Sequence, residues 1–456
     1  MKNVRILLMV LVVAALVLSA CAPAATEEVV EEVAATEEVA ATEEPVAEAP
    51  RLTCGDGIQV GLITDASGAL AIYGQMILRS FMLGMEYATG AAGSAGDVYD
   101  FSATQENVFM LDDCEITVYV ADDQSTPDTT ATIAREMIEV QGVDILVGTV
   151  SSGATATLQG IAAENQIPLI VAPAAANDIT GVNFNEYTFR TSRNNYQDAM
   201  NLCAYLPTVY STFVQIAPDY AFGRGSAAAF RDSCTLNGGT FVADDIFAPA
   251  DTTDFTPYME QVLASGAESW IVSWAGGGFI AMMQAAADQG VNETMSLGST
   301  FIDNALMPVF FPNAVGTTSG ILYHFSAPDN AINDWLVTET TARYGVPPDL
   351  FDADGMNAAI LLTTALRATN GDASATAMIA AMEGLSFEGP KGTVYIRPED
   401  HVAIQDMYIL TLNNVTDPGF AFYDYVSTNR PEPPCLLPET LVDRCGELPV
   451  GSLSGQ

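Results

Sequence analysis

Residues 143–176, VDILVGTVSSGATATLQGIAAENQIPLIVAPAAA, decide how the rest of the chain is read. A short apolar run, DILVGTV, ends in Ser151-Ser152-Gly153. A helix-like stretch follows near 153–164, and a second apolar run, PLIVAP, ends in Ala174-Ala175-Ala176. Strands that are apolar on both faces belong to parallel sheets covered by helices on each side. In such sheets ligands bind beyond the carboxyl ends of the strands, where helix N-termini offer free N–H groups and the positive end of a dipole. The turn at 151–153 is therefore both a fold marker and a candidate anion site.

The same alternation extends in both directions. IQVGLIT (58–64) precedes a helix near 71–89, and ITVYVADD (116–123) precedes TPDTTATIAREMIEVQG. A second series begins near 190: STFVQIA (211–217), a helix over 223–237, TFVADDIF (240–247) and a helix over 254–265. SWIVSWA (269–275), a helix over 278–289 and MSLGST (295–300) complete it. Two series predict an α/β protein of two doubly wound, Rossmann-like lobes. GILYHF (320–325), helices near 330–344 and 355–369, TVYI (393–396) and DMYILTL (406–412) come later. If these rejoin the earlier sheets, the lobes are discontinuous and share a multi-strand hinge suited to a closing cleft. The predicted boundaries are 51–190 plus 322–389 for lobe 1, 191–321 plus 390–420 for lobe 2, and a Pro- and Cys-containing tail over 421–456. Residues 90–113, Gly-rich and polar, read as a surface excursion.

Residues 1–20 carry Lys2 and Arg5 ahead of an apolar run over 6–20, too short to span a bilayer and typical of a secretory signal. Small residues lead into Cys21, as in the lipobox of bacterial lipoproteins, which implies lipidation of that thiol. Residues 22–50 hold nine Glu and three hexads, AATEEV at 24–29 and 34–39 and AATEEP at 40–45. With nothing to bury and strong self-repulsion, 21–50 read as an extended acidic tether.

The formal charge of the chain is −42, from 15 basic and 57 acidic residues. Such a balance opposes nucleic acid, which needs clustered Lys and Arg, and opposes adhesion to anionic lipid. A membrane partner is expected through the lipid anchor only. Six cysteines remain after Cys21, an even number for an oxidising compartment. Context pairs Cys54 with Cys114 on neighbouring strands, Cys203 with Cys234 on helices flanking 212–217, and Cys435 with Cys445 across a short loop. Metal binding is the alternative, but the chain has no CxxC and only His324 and His401. No metal or cofactor is expected.

The order and spacing of IQVGLITDASGALAIYGQ, DDQSTPDTT, the 143–176 stretch and DYAFGRG (219–225) resemble the type I periplasmic binding proteins. The likeness, over roughly 57–415, is to the branched-chain amino-acid and amide-binding proteins of ABC importers. The resemblance implies a small-molecule ligand held between two closing lobes, a membrane permease as partner, and a monomer. It implies that Ser152, beside Ser151, holds a ligand carboxylate, and that Ala174, Ala175 and Ala176 face the ligand's polar end. Ala176 stands where relatives have a Thr. Tyr73, Tyr220 and Phe222 are implied cleft aromatics, and Trp274 before Ala275-Gly276-Gly277-Gly278 an apolar wall. Amino-acid binders commonly place an acid where this chain has Thr300. Burying an ammonium without a carboxylate is costly. Either Asp65, Asp303 or Asp354 supplies that charge, or the ligand has no free ammonium.

No GxSxG elbow, HExxH, Walker A loop or dinucleotide fingerprint occurs, so an enzyme is not expected. The reading is an extracytoplasmic, lipid-anchored receptor that delivers a branched-chain-type amino acid or related amide to a permease. The alternative is a signalling receptor for a small amide, urea or carboxylate; such a receptor would continue into a membrane span and output module, which 421–456 do not resemble.

Overall fold

The computed structural model describes residues 51–455. The expected leader, Cys21 and the acidic segment lie outside the described residues. The first sheet is built from β1 (Ile58–Thr64), β2 (Glu106–Leu111), β3 (Cys114–Asp122), β4 (Ile145–Val147), β5 (Leu169–Val171) and β6 (Thr188–Arg190), in the order β2-β3-β1-β4-β5-β6. Every pairing is parallel except β2 on β3. The 90–113 stretch is thus not only a surface excursion. Its strand β2 alternates exposed and buried residues, as an edge strand with one wet face must. Helices α1 (Ala71–Thr89), α2 (Pro127–Glu136) and α3 (Ser152–Asn165) connect the strands.

The second sheet contains β7 (Thr212–Pro218), β8 (Thr240–Phe241), β9 (Ile246–Ala248), β10 (Ser269–Val272) and β11 (Ser296–Gly298), all parallel. Helices α4 (Asn195–Cys203), α5 (Ala221–Leu236), α6 (Thr256–Ala264) and α7 (Gly278–Asp288) belong to this series. The expected strand over 240–247 is broken into β8 and β9, because Ala243-Asp244-Asp245 interrupts the apolar run.

The later elements return without joining either parallel sheet. Strands β12 (Thr318–Ile321), β13 (Ser386–Gly389), β14 (Gly392–Ile396), β15 (Ala403–Ile404), β16 (Met407–Leu412) and β17 (Tyr423–Asn429) form two antiparallel sheets, β12-β16-β17 and β13-β14-β15. Strand β17 lies within the stretch expected to be tail; it pairs with β16 from Tyr423 to Asn429. Helices α8 (Ala331–Tyr344), α9 (Asp352–Ala368) and α10 (Ala375–Met382) fall between these strands. Helix α9 is buried on almost every face and packs against α1 in the larger core.

The chain passages between the halves are tied to each other. Gln405 Nε2 donates to the Thr191 carbonyl at 3.0 Å, and Gln197 Nε2 to the Ala403 carbonyl at 2.9 Å. Disulfides Cys54–Cys114, Cys203–Cys234 and Cys435–Cys445 span 60, 31 and 10 residues. The first ties the segment before β1 to β3, and the second joins α4 to α5. Among the described residues no helix is long and apolar enough to cross a membrane.

Candidate functional site

The strand ends of the first sheet are shaped by buried side chains that organise the turns. Asp65, fully buried, accepts from the backbone N–H of Gly68 and Leu70 and from Ser125 Oγ. That fixes the turn feeding α1, so Leu70 and Tyr73 project into the cleft between the halves. Gly74 is required there: a Cβ would lie 1.6 Å from the Asp65 carbonyl oxygen. After β4, Thr149 Oγ1 donates to Asp123 Oδ2 at 2.6 Å, and Thr155 Oγ1 to the Thr149 carbonyl at 3.2 Å. Val150, Ser151 and Ser152 are held between these anchors.

Ser151 and Ser152 divide the two roles expected of their turn. Ser151 caps α3, its Oγ accepting from Ala154 N–H at 3.5 Å, and does not line the cleft. Ser152 is the first helical residue, and its side chain lines the cleft. Its Oγ accepts from Ala176 N–H at 3.2 Å, which leaves the hydroxyl proton free to donate.

The cleft leaves about 370 Å³ unfilled by protein atoms, part of it open to solvent. It is lined by Leu70, Tyr73, Val150, Ser152, Pro173, Ala174 and Ala175 on one side, with Arg193 and Phe351 beside them. Tyr220, Phe222, Ala275 and Phe301 face them from the other half. The two walls meet at Gly276, which approaches Ala69 and Leu70 so closely that a Cβ would clash with Leu70. The rings interlock: Tyr73 stands edge-on to Phe351 at 5.0 Å, and Phe222 edge-on to Phe301 at 6.1 Å. Burial raises the phenol of Tyr220 to about 12 and that of Tyr73 further, so both are neutral donors at pH 7.

Arg193 is the feature that local sequence did not signal. It is 2 % exposed, with its guanidinium 5.0 Å from the Phe351 ring centre and 5.7 Å from that of Phe301. Nε pairs with Asp198 at 3.2 Å and Nη1 donates to the Pro173 carbonyl at 3.0 Å. Nη2 has no partner among the described residues. Arg190, by contrast, spends Nη1 on the carbonyls of Ala174 and Arg193 and Nη2 on that of Ala176. Full burial and the nearby Arg193 charge lower it to about 9, still charged at pH 7. The Ala174 carbonyl, which also accepts from Ser192 Oγ, is occupied from below by Arg190.

Several expected contacts lie elsewhere. Ala176 is buried under the turn, bonded to Ser152 and Arg190. Trp274 packs edge-on against Phe255 at 4.9 Å within the second core, and Ala275 takes the cleft position beside it. Thr300 is buried with its Oγ1 unbonded, while Phe301 lines the cleft. None of the proposed acids is a lining residue. Asp65 is consumed by its turn, and Asp303 caps Leu306 beside a separate cavity. Asp354 is buried on the first turn of α9, its Oδ2 without a hydrogen bond. Phe301, Phe351 and Ala275 each sit within three residues of an expected position; Arg193 sits in S-R-N, which reads as an ordinary polar loop.

A larger space, about 1160 Å³ and partly open to solvent, lies among β11, β12, β16 and residues 307–314. Its lining is mostly apolar, with Glu293 the one charged side chain. Its lining holds hydroxyls and amides but no cationic side chain, whereas the smaller cleft lies at the strand ends and is lined by Arg193, so the smaller cleft is the candidate site.

Three comparisons bear on this arrangement. The profile of the periplasmic binding protein family matches residues 57–417. A Leu/Ile/Val-binding protein homolog from Brucella melitensis is 25% identical over 373 residues, covering 79% of this chain and 89% of its own length. Among solved structures, an ABC-type branched-chain amino acid transporter protein from Rhodopseudomonas palustris is 33% identical, with a TM-score of 0.67 over 82% of this chain and 96% of that one. An ABC transporter solute binding protein from R. palustris, solved with benzoate, is 26% identical, with a TM-score of 0.68 over 82% of this chain and 97% of that one. The chain therefore belongs to the periplasmic binding protein family, extracytoplasmic solute-binding proteins of the type I two-lobed fold without enzymatic activity.

Proposed function

We propose that this chain is the solute receptor of an ABC importer, and that its cleft takes a small monocarboxylate with an aromatic or branched apolar body and no free ammonium. The observation that carries the reading is the pairing of Arg193 and Ser152 in a cleft walled by five aromatic rings and lined by no carboxylate. A guanidinium with a free N–H pair and a hydroxyl are the donors a carboxylate requires. The rings Tyr73, Phe222, Phe301 and Phe351 offer flat apolar surface to the solute body. An ammonium would meet Arg193 and find no acid among the lining residues. The benzoate bound by the relative from R. palustris has the same chemistry.

A branched-chain amino acid is the second reading, favoured by the Leu/Ile/Val-binding relatives and by the branched-chain transporter protein. It requires an acid at the ammonium, and the position expected for one is Thr300. Capture proceeds by closure of the halves about the tied passages, followed by docking of the closed form on a permease. A solute favours closure only by its greater affinity for the closed form. The anchor belongs to the same proposal: residues 1–20 as signal, Cys21 as lipidated N-terminus, 21–50 as tether, and a monomer as the working form. Release of a Cys21→Ala variant from the membrane fraction checks the anchor.

Thermal-shift measurement with benzoate, 3-methylbutanoate, L-leucine, L-isoleucine and the corresponding amides tests the ligand class. Stabilisation by the two carboxylates and not by the amino acids is expected. Stabilisation by L-leucine with no response to benzoate contradicts the reading. A permease-dependent uptake assay separates import from a purely signalling role.

A further inference from the structure

Lys391 is the one lysine among the described residues, and it is 2 % exposed, on the turn between β13 and β14. Lysine is almost never fully buried unless paired. Here Nζ donates to Gln405 Oε1 at 2.9 Å, and Gln405 Nε2 donates to the carbonyl of Thr191, two residues before Arg193. Lys391 makes no ion pair within 4.0 Å among the described residues; the charges it feels, in order of size, are Asp354, Arg193 and Asp198. Asp354 feels Lys391 most strongly, then Arg193.

One cluster of buried charges lies behind the Arg193 side of the cleft, apart from Asp65 and Asp123, held in their turns, and from Asp303 and Asp349, which act on Tyr73. Arg190, Arg193 and Lys391 stand against Asp198 and Asp354, and all five are buried. Two neighbouring acids are already balanced: Asp400 by Arg397 at 2.6 Å, and Asp406 by Arg430 at 3.0 Å. The cluster is left with one uncompensated positive charge, a costly state in a buried site unless an anion completes it. Of these five residues only Arg193 lines the cleft, so that is where the missing negative charge enters.

We propose that Lys391 determines the charge specificity of the cleft: it balances Asp354, so that Arg190 and Arg193 together exceed Asp198 by one positive charge, and the cleft selects a monoanion over a neutral solute of the same shape. It touches no solute and acts through Asp354 and Arg193, as a positioning residue. This rests on the monocarboxylate reading of the cleft. Burial lowers Lys391 to about 8 and raises Asp354 to about 6, so at pH 7 both are mainly in their charged forms.

The test is calorimetric titration of the full chain with benzoate and with benzamide at pH 7 and low salt. A unit charge on the order of 10 Å away, at an effective dielectric near 20, alters anion binding by about tenfold. Lys391→Met should therefore cut the preference for benzoate over benzamide by about tenfold, and Lys391→Arg should keep it. Asp354→Asn should increase the preference. The double variant Asp354→Asn/Lys391→Met restores the count of one positive charge and should return the preference to that of wild type. A packing role for Lys391 does not predict that return.

An unchanged preference in Lys391→Met, with wild type still binding benzoate, overturns the inference and leaves the cleft reading standing. Should Lys391→Met fail to fold, Asp354→Asn alone decides, and no increase in preference overturns the inference. Wild type that binds neither benzoate nor 3-methylbutanoate overturns the cleft reading and the inference with it.

Discussion

The two walls of the cleft are built on opposite principles. On the first-sheet side, Ser152, Arg193 and the 173–175 turn rest on buried polar groups: Arg190 under the alanine carbonyls, Asp198 on Arg193, Asp123 under Thr149. On the second-sheet side, Tyr220, Phe222, Ala275 and Phe301 rest on one another and on the apolar core, and bring no charge. A preorganised wall holds its donors in place before solute arrives, so little ordering entropy is spent on binding. An apolar wall has no directional demand and can close over bodies of different outline. Charge is read on one side, shape on the other. The fold supplies this division, since strand ends and helix N-termini of the first sheet converge where the second sheet contributes rings.

That contrast can be broken by substitution, beginning with the largest effect. Arg193→Met should weaken benzoate binding by about 2–5 kcal/mol, the range for truncating one member of a buried charge pair, with much less effect on benzamide. Calorimetry with both solutes measures the difference; equal losses would place Arg193 in the structure and not in recognition. Removing the Cys54–Cys114 disulfide should lower unfolding stability by about 2–4 kcal/mol while leaving solute affinity nearly unchanged, because it braces β3 far from the cleft. Denaturant titration of Cys54→Ser/Cys114→Ser reads the first quantity and calorimetry the second. Ser152→Ala should cost about 1–3 kcal/mol of carboxylate affinity. Unchanged affinity would remove Ser152 from the site. Phe301→Leu should cost about 0.5–1.5 kcal/mol for an aromatic solute through lost ring contacts, and less for 3-methylbutanoate.

A separate effect, read through pH, concerns the seam between the walls. Asp349 accepts from the backbone N–H of Asn304 at 2.8 Å, joining the segment before α9 to the loop after β11. Burial raises its carboxyl from the usual range to about 7. A raised carboxyl favours folding while protonated, so its contribution is full below about pH 4 and is lost as pH rises through about 7. Melting temperature between pH 5 and pH 8 should fall more for wild type than for Asp349→Asn. Parallel pH profiles would exclude that group.

The same contrast explains what was legible in the sequence. The parallel strands and their helices follow from apolar runs and turn chemistry, which are local, and so does the Ser151-Ser152-Gly153 turn; Tyr73, Tyr220 and Phe222 were implied by the resemblance alone. The antiparallel elements were harder. In 106–111 the alternation ENVFML was present but sat inside a Gly-rich stretch, and β12 and β16 pair across some ninety residues, which no local pattern encodes. Arg193 and Phe351 enter the cleft from a passage between halves and from the residue before α9, positions set by tertiary packing. Trp274 and Thr300 were each one residue off, because side chains alternate along a strand end and their neighbours Ala275 and Phe301 face the cleft. Asp354, expected to touch solute, instead lies beneath the cleft among buried charges.

The central claim is that the cleft reads a carboxylate and has no place for an ammonium. Calorimetric titration of the wild-type chain with benzoate and with L-leucine at pH 7 tests it directly. Saturable one-to-one binding of benzoate, with no heat from L-leucine, is the predicted result. Tight binding of L-leucine, with none of benzoate, contradicts it.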